Sequence, residues 1–249
     1  MQDSGRINYD EIAHHYERHR WAAAEVVREL VNVAGVGADS TVLDAGCGTG
    51  TASVAFQERT GAAVWAVDKS AEMLRYGQGK SSEVRFARAD AHSLPFRDAT
   101  FDFAYAVLII HHLTDVPGFF RELYRVMREG KAAILTCSHD WIGRHPMTRF
   151  FPSFAGIDLA RFPTLSSVRQ WLGDAGFANV EEIPVRTAEY VADDDYVDRV
   201  ADKWVSTLQL IPEAEFQRGM QKLRQAVRDG ATSELQIHWE GVLVTALKR

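Results

Sequence analysis

Residues 41–137 alternate between short β-branched runs and segments with helical spacing, and no other feature restricts the fold as much. Strands are predicted at 41–45, 63–68, 84–90, 101–109 and 131–137, with helices over 51–59, 71–77 and 117–128 between them. In the last helix Phe120, Leu123, Tyr124 and Met127 recur at i, i+3, i+4 and i+7, a single apolar stripe. Near-continuous apolar strands separated by helices predict a parallel sheet covered on both faces. Beyond Cys137 the pattern changes to an aromatic, proline-containing stretch with Trp141, Phe150, Phe151, Phe154 and Phe162. A helix over 166–175, a sixth strand over 180–185, a largely helical 192–228 interrupted at Pro212 and a seventh strand over 234–247 complete the pattern. Residues 1–35 read as one or two helices laid against the sheet. With no Gly/Ser linker, one domain over 1–249 is expected, carrying a helical N-terminal lid (about 1–35) and helical insertions (about 138–165 and 190–230).

The composition narrows the class. Hydrophobic residues make up 46% and charged residues 25%, which fits a globular chain and excludes a coiled coil, a collagen-like fibre or a disordered tail. The net charge of −6 gives little non-specific attraction for nucleic acid or an anionic membrane, and no basic stripe is visible. Two cysteines, Cys47 and Cys137, cannot build a disulfide framework. The polar N-terminus lacks the apolar core of a signal peptide, and the longest apolar run, near 103–110, is far short of a membrane span. A cytoplasmic protein with neither membrane nor nucleic-acid partner is expected, as a monomer or homodimer.

The chemistry sits in Val42-Leu43-Asp44-Ala45-Gly46-Cys47-Gly48-Thr49-Gly50, where the first strand meets the first helix. Glycines at alternate positions remove each Cβ that would hold a ligand off the backbone, and the following helix offers free N–H groups and the positive end of its dipole. Asp68 ends the next strand, eighteen residues past Gly50, where a carboxylate can accept two hydrogen bonds from a ribose diol. A dinucleotide G-x-G-x-x-G fingerprint fails by one residue, since position 51 is threonine, and no Gly-Lys-Ser/Thr follows to make a P-loop. Asp44, two residues before the first glycine, suits a cationic or zwitterionic ligand better than a pyrophosphate.

This turn with its distal Asp68 resembles the class I S-adenosylmethionine-dependent methyltransferases, in particular the broad small-molecule (type 11-like) group. Arg88-Ala-Asp90-Ala-His-Ser-Leu-Pro-Phe, Phe101 to Leu113, Arg121 to Met127 and Tyr9-Asp-x-Ile-Ala-x-x-Tyr16 agree with it. One departure is Glu129-Gly130-Lys131, where the family usually has Pro-Gly-Gly. The resemblance implies an α/β, Rossmann-like, seven-stranded, mostly parallel sheet with helices on both faces and its last strand antiparallel. It implies S-adenosylmethionine as cofactor, held by Tyr16, Arg20, Asp44, Ala45, Gly46, Gly48, Gly50, Asp68, Lys69, Met73, Ala89, Asp90, Ala91, Ala106, Val107 and His112. A turn role competes for Asp90, and Cys47 reads as a small filler.

The implied reaction is attack of a small-molecule acceptor, through O, N or C, on an activated methyl group in one displacement. In-line placement and water exclusion are then the enzyme's main work. His111, His112 and His139 follow strands at the carboxyl edge, where open sheets bind ligands, and are the candidates for a base. Turn histidines bonded to backbone are the equal alternative. His15 and His19 have i, i+4 metal-compatible spacing, but no carboxylate motif accompanies them, so no metal is expected. Tyr9, Trp141, Phe150, Phe154 and Trp204 are the expected acceptor contacts, for an apolar or aromatic molecule. Arg144, Arg149, Arg161 and Arg186 could instead meet a carboxylate, but scattered arginines are more often surface residues, and nothing is built on them. A protein that binds the cofactor without methylating, as a lyase, a cyclase or a regulatory subunit, is the alternative.

Overall fold

A computed structural model describes residues 7–19, 24–230 and 235–249. Two helices, α1 (Tyr9–Arg18) and α2 (Ala24–Ala34), precede the alternating core. The core runs β1 (Thr41–Ala45), α3 (Thr51–Thr60), β2 (Ala63–Asp68), α4 (Ala71–Gln78), β3 (Arg85–Arg88), β4 (Phe101–Val107), α5 (Val116–Val126) and β5 (Met127–Thr136). Helices α6 (His139–Gly143), α7 (Phe154–Arg161) and α8 (Leu165–Asp174) lead to β6 (Ala178–Arg186) and β7 (Tyr190–Val191). Then come α9 (Asp194–Ala201), α10 (Ser206–Leu210), α11 (Glu213–Asp229), β8 (Gln236–Ile237) and β9 (Glu240–Lys248).

The sheet has seven strands in the order β3-β2-β1-β4-β5-β9-β6. The contacts among β3, β2, β1, β4 and β5 are all parallel. β9 is antiparallel to both of its neighbours, so the expected Rossmann-like sheet with an antiparallel last strand is present. The final segment divides where the sequence suggested one strand: residues 236–237 pair with β7 in a small separate ribbon, and only 240–248 enter the sheet. Helix α5 stops at Val126 because Met127 already pairs with Phe101; its buried face is Val116, Phe119, Phe120, Leu123 and Val126. Pro212 does interrupt the helical run, and stands as the N-cap of α11.

Apolar strand residues fill both faces. Leu43, Phe101, Ala104 and Ile134 pack with α5 and α8, while Val42, Val64, Phe103 and Leu135 pack with α2 and α3. A third apolar cluster, centred on Phe151, Tyr196, Val200, Phe216 and Met220, lies within the insertions themselves. Phe150 belongs to it, 5% exposed, so its ring holds the insertions together and does not face the cavity. No helix among the described residues is long and apolar enough to cross a membrane.

Candidate active site

The glycine turn sits at the carboxyl end of β1, at the point where strand order reverses between β1 and β4. Gly46, Gly48 and Gly50 all have positive φ, at 80°, 54° and 72°. Their spatial reasons differ. A Cβ on Gly46 would lie 2.5 Å from the Ile109 side chain, and one on Gly50 would lie 2.5 Å from the Phe86 ring. Only at Gly48 does the added position meet open space, so this glycine alone leaves the turn bare for a ligand. Gly50 serves helix–strand packing instead.

Asp68 ties the turn to the second strand. Its Oδ2 accepts from Gly48 N and its Oδ1 from Ser70 N, each at 2.8 Å. Burial pushes its carboxyl above the usual range, against the pull of those two amides. Asp44 is 1% exposed beneath the turn. Its Oδ2 accepts from Ser53 Oγ at 2.6 Å, while its Oδ1 is buried with no partner among the described residues. Burial raises this carboxyl to about 7. Cys47 beside it is an unreactive thiol, held well above its usual value by burial and by Asp44.

These residues line one end of a cavity of about 950 Å³. Lys69, Met73, Ala89, Asp90, Ala91 and Val107 also reach it. Asp90 stands at the rim, with Oδ1 accepting from His92 N at 2.9 Å and lying 2.7 Å from His92 Nδ1; it shapes its own turn while facing the cavity. Ala45 and Ala106 do not line the cavity: both are fully buried in the core under the sheet, as alternation along a strand requires. Arg20 lies outside the described residues.

The same cavity continues among α1, α7, α9 and α10. Tyr9 and Tyr16 both reach it from α1. Tyr9 Oη lies 2.7 Å from His112 Nε2, and Arg161 Nη2 donates to His112 Nδ1 at 3.1 Å. A donor on Nδ1 fixes the imidazole as the Nε2–H tautomer, which donates to Tyr9 and leaves the phenol O–H free to donate elsewhere. Burial, reinforced by Arg161, pushes His112 down to about 3 and holds it neutral. Burial holds His111 well below its usual value; it stacks on Phe162 with ring centroids 3.8 Å apart, and its Nδ1 has no partner among the described residues. His139 does not line the cavity. It starts α6, and its Nε2 donates to Phe162 O at 2.8 Å, a tie between insertion and core.

Trp141, Phe154 and Trp204 line the cavity, joined by His145, Met147, Tyr190 and Tyr196. Sequence reasoning missed Arg161. It is an internal residue, paired with Asp158 at 3.3 Å and donating to Ser206 Oγ at 3.0 Å, while Thr207 donates to both Asp158 oxygens. Asp158 and Arg161 stand i, i+3 on α7, a spacing visible in the sequence; their burial under α10 is not. Arg144 and Arg186 do reach the surface, where both face Glu240. His15 and His19 turn towards Asp202 on the neighbouring insertion, and no cluster of three metal-ligating groups occurs among the described residues.

Comparison with known proteins agrees with this geometry. A family model described as a methyltransferase domain matches residues 43–135. A malonyl-[acyl-carrier protein] O-methyltransferase of Pseudescherichia vulneris is 33% identical over 51% of this chain and 51% of its own. Phosphoethanolamine N-methyltransferase 3 of Arabidopsis thaliana is 32% identical over 63% of this chain and 32% of its own. The chain thus spans about half the length, or less, of these curated relatives. Among solved structures, a putative methyltransferase from an antibiotic biosynthesis pathway of Anabaena variabilis superposes with a TM-score of 0.78 at 23% identity, covering 91% of this chain and 98% of that one. Turn, distal acid, sheet order and these matches agree: residues 43–135 carry a methyltransferase domain, set in the fold of the S-adenosylmethionine-dependent methyltransferases.

Proposed function

We propose that the protein transfers a methyl group from S-adenosylmethionine to an apolar or aromatic small molecule. The observation that carries this reading is the continuity of one cavity from the glycine turn to a ring-lined chamber formed by the lid and insertions. The cofactor fits on two features of the structure: the open side of Gly48 and the unpartnered, buried Asp44 Oδ1. Asp68 would take the ribose, Asp44 the amino group, and the segment 89–91 the base. The cofactor supplies a methyl already activated by sulfonium sulfur.

The chain's own residues then position and dehydrate. Tyr9, His112 and Arg161 form a hydrogen-bonded row along the chamber wall. Because His112 resists protonation and burial keeps the Tyr9 phenol protonated, the pair orients the acceptor's attacking atom and does not store its proton. Helix α1 and the insertions keep water from the reacting atoms. The curated relatives are named for O- and N-methylation of dissimilar acceptors, so the attacking atom is not carried over from them. The Anabaena protein is described as belonging to antibiotic biosynthesis, and tailoring of a secondary metabolite is the role we assign here. Two free thiols suit the reducing cytoplasm.

The test is calorimetric titration with S-adenosylmethionine, S-adenosylhomocysteine and NAD, followed by mass spectrometry of turnover mixtures with candidate acceptors. Micromolar binding of the first two, none of NAD, and methylated product matched by S-adenosylhomocysteine would support the proposal. Conversion of an acceptor without methyl gain would replace it with a lyase or cyclase. Binding with no turnover of any acceptor would replace it with a regulatory subunit.

A further inference from the structure

Among the described residues, Arg199 is the partly buried cation on the cavity wall that no carboxylate answers. Arg161 has Asp158 at 3.3 Å. Lys69 and Arg88 also reach the cavity, but are exposed to solvent. Arg199, on α9, is partly buried and has no carboxylate within 4.0 Å among the described residues. Its guanidinium carbon lies 5.7 Å from the centroid of the Tyr190 ring and 5.4 Å from that of Tyr196. Two aromatic faces hold the group in place without neutralising it. Among the described residues its buried Nε has no hydrogen-bond partner, and its Nη2 has only a long contact, 3.5 Å, to the Tyr190 hydroxyl. A guanidinium kept this way has unused donors in a planar fork, which is the arrangement that recognises a carboxylate.

We propose that the methyl acceptor carries a single carboxylate, bound by Arg199 with the Tyr190 hydroxyl, while its apolar or aromatic body lies against Trp204, Tyr196 and Trp141. This rests on the methyl-transfer reading above and specifies its substrate class. One uncompensated positive charge matches one negative charge; a phosphate dianion would leave a second charge unpaired in this part of the wall. Tyr190 is 39% exposed, so the carboxylate sits at the rim and remains partly hydrated while the rings take the apolar body.

The probe is 3-(2-naphthyl)propanoate, compared with its neutral primary amide, titrated against protein saturated with S-adenosylhomocysteine. The wild type should bind the acid at least about tenfold more tightly than the amide, as expected for a charge-assisted bidentate contact. Arg199→Gln should bring the two within about twofold of each other, and Arg199→Lys should restore part of the preference. In both variants S-adenosylhomocysteine affinity should be unchanged, which also reports that they are folded. Equal binding of acid and amide by the wild type, no binding of either, or a preference that survives in Arg199→Gln would overturn the carboxylate assignment while cofactor binding stands. If Arg199→Gln does not fold, the wild-type preference and its reduction in Arg199→Lys decide the matter. Failure of S-adenosylhomocysteine itself to bind folded wild type would remove the methyl-transfer reading, and this assignment with it.

Discussion

Asp68 holds two backbone amides in the ligand-free protein and still has lone pairs for a ribose diol. Replacing it with alanine removes both the ligand contact and the acceptor that shapes the Gly48 amide. S-adenosylhomocysteine affinity should fall by about 1–3 kcal/mol in Asp68→Ala, measured by calorimetry; unchanged affinity would remove Asp68 from the site. Asp44 makes a different prediction. Its carboxyl is raised from 3.8 to about 7, so near neutrality it is only half ionised. A cationic amino group favours the ionised form, so cofactor affinity should rise between pH 5.5 and 7.5 and level off above. Stability of the ligand-free fold runs the other way. A group raised in the folded state contributes stability in full below its unfolded value, and that contribution is lost as pH rises through about 7. Asp44→Asn should flatten both profiles, the first read by titration and the second by thermal melts. Asp44, Gly48 and Asp68 were legible in the sequence because a strand–turn–helix unit places them by local geometry alone. Arg161 was not, because its neighbours Ser206 and Thr207 come from a helix 45 residues further along the chain.

Helix α1 shows the same contrast at the scale of an element. Only Ala13 of its residues is buried, yet it is held beside the cavity through contacts at both ends. Near its start, Asp10 accepts from Ser70 Oγ at 2.5 Å and from Glu72 N at 3.3 Å, which ties it to α4. Further along, Glu17 pairs with Lys80 at 2.7 Å, and Lys80 also donates to Thr49 O beside the glycine turn. At its end, His19 Nε2 and Arg18 Nη1 meet Asp202 Oδ2 at 2.6 and 3.0 Å. The sequence showed the i, i+4 spacing of His15 and His19 but not what they face, since Asp202 is 183 residues distant. Asp202→Ala removes a carboxylate shared by side chains that cover different parts of one helix end. Exposed pairs of this kind are each worth about 0.2–1 kcal/mol, and His19 is more enclosed than that class. Amide exchange over residues 9–18 should therefore quicken about three- to tenfold, with cofactor affinity falling less. Exchange unchanged from wild type would show that the other two ties suffice.

Across the whole molecule, apolar burial is divided between the sheet and the insertions. The two sheet faces carry their own clusters, and the insertion cluster is built from 147–237 with no strand of the main sheet in it. A small set of residues, Cys137, Trp141, Ile142 and Phe162, joins insertion to core. The cavity lies across that joint, so the wall proposed for the cofactor and the wall proposed for the acceptor depend on different cores. Aromatic density after Cys137 marked the insertions in the sequence, but could not say which rings pack and which face a ligand; Phe150 packs and Phe154 does both. Phe151 is the residue through which to separate the two. It is fully buried, stacks on Phe216 at 5.6 Å between centroids, and lies so close to Gly219 that an added Cβ there would be 2.3 Å from its ring. Truncation to alanine leaves a cavity that Gly219 cannot fill, at a cost of about 3–5 kcal/mol. Because that loss falls within the insertion core, Phe151→Ala should expose amides in 147–227 to exchange while strands 41–45 and 63–68 stay protected. S-adenosylhomocysteine affinity should change by less than about threefold, the residual loss arising through the Asp202 tie to α1. Binding of acceptor-like ligands should be lost. If cofactor affinity and sheet protection fell together with the insertions, the two cores would be one cooperative unit, and the division between cofactor wall and acceptor wall would be only one of shape.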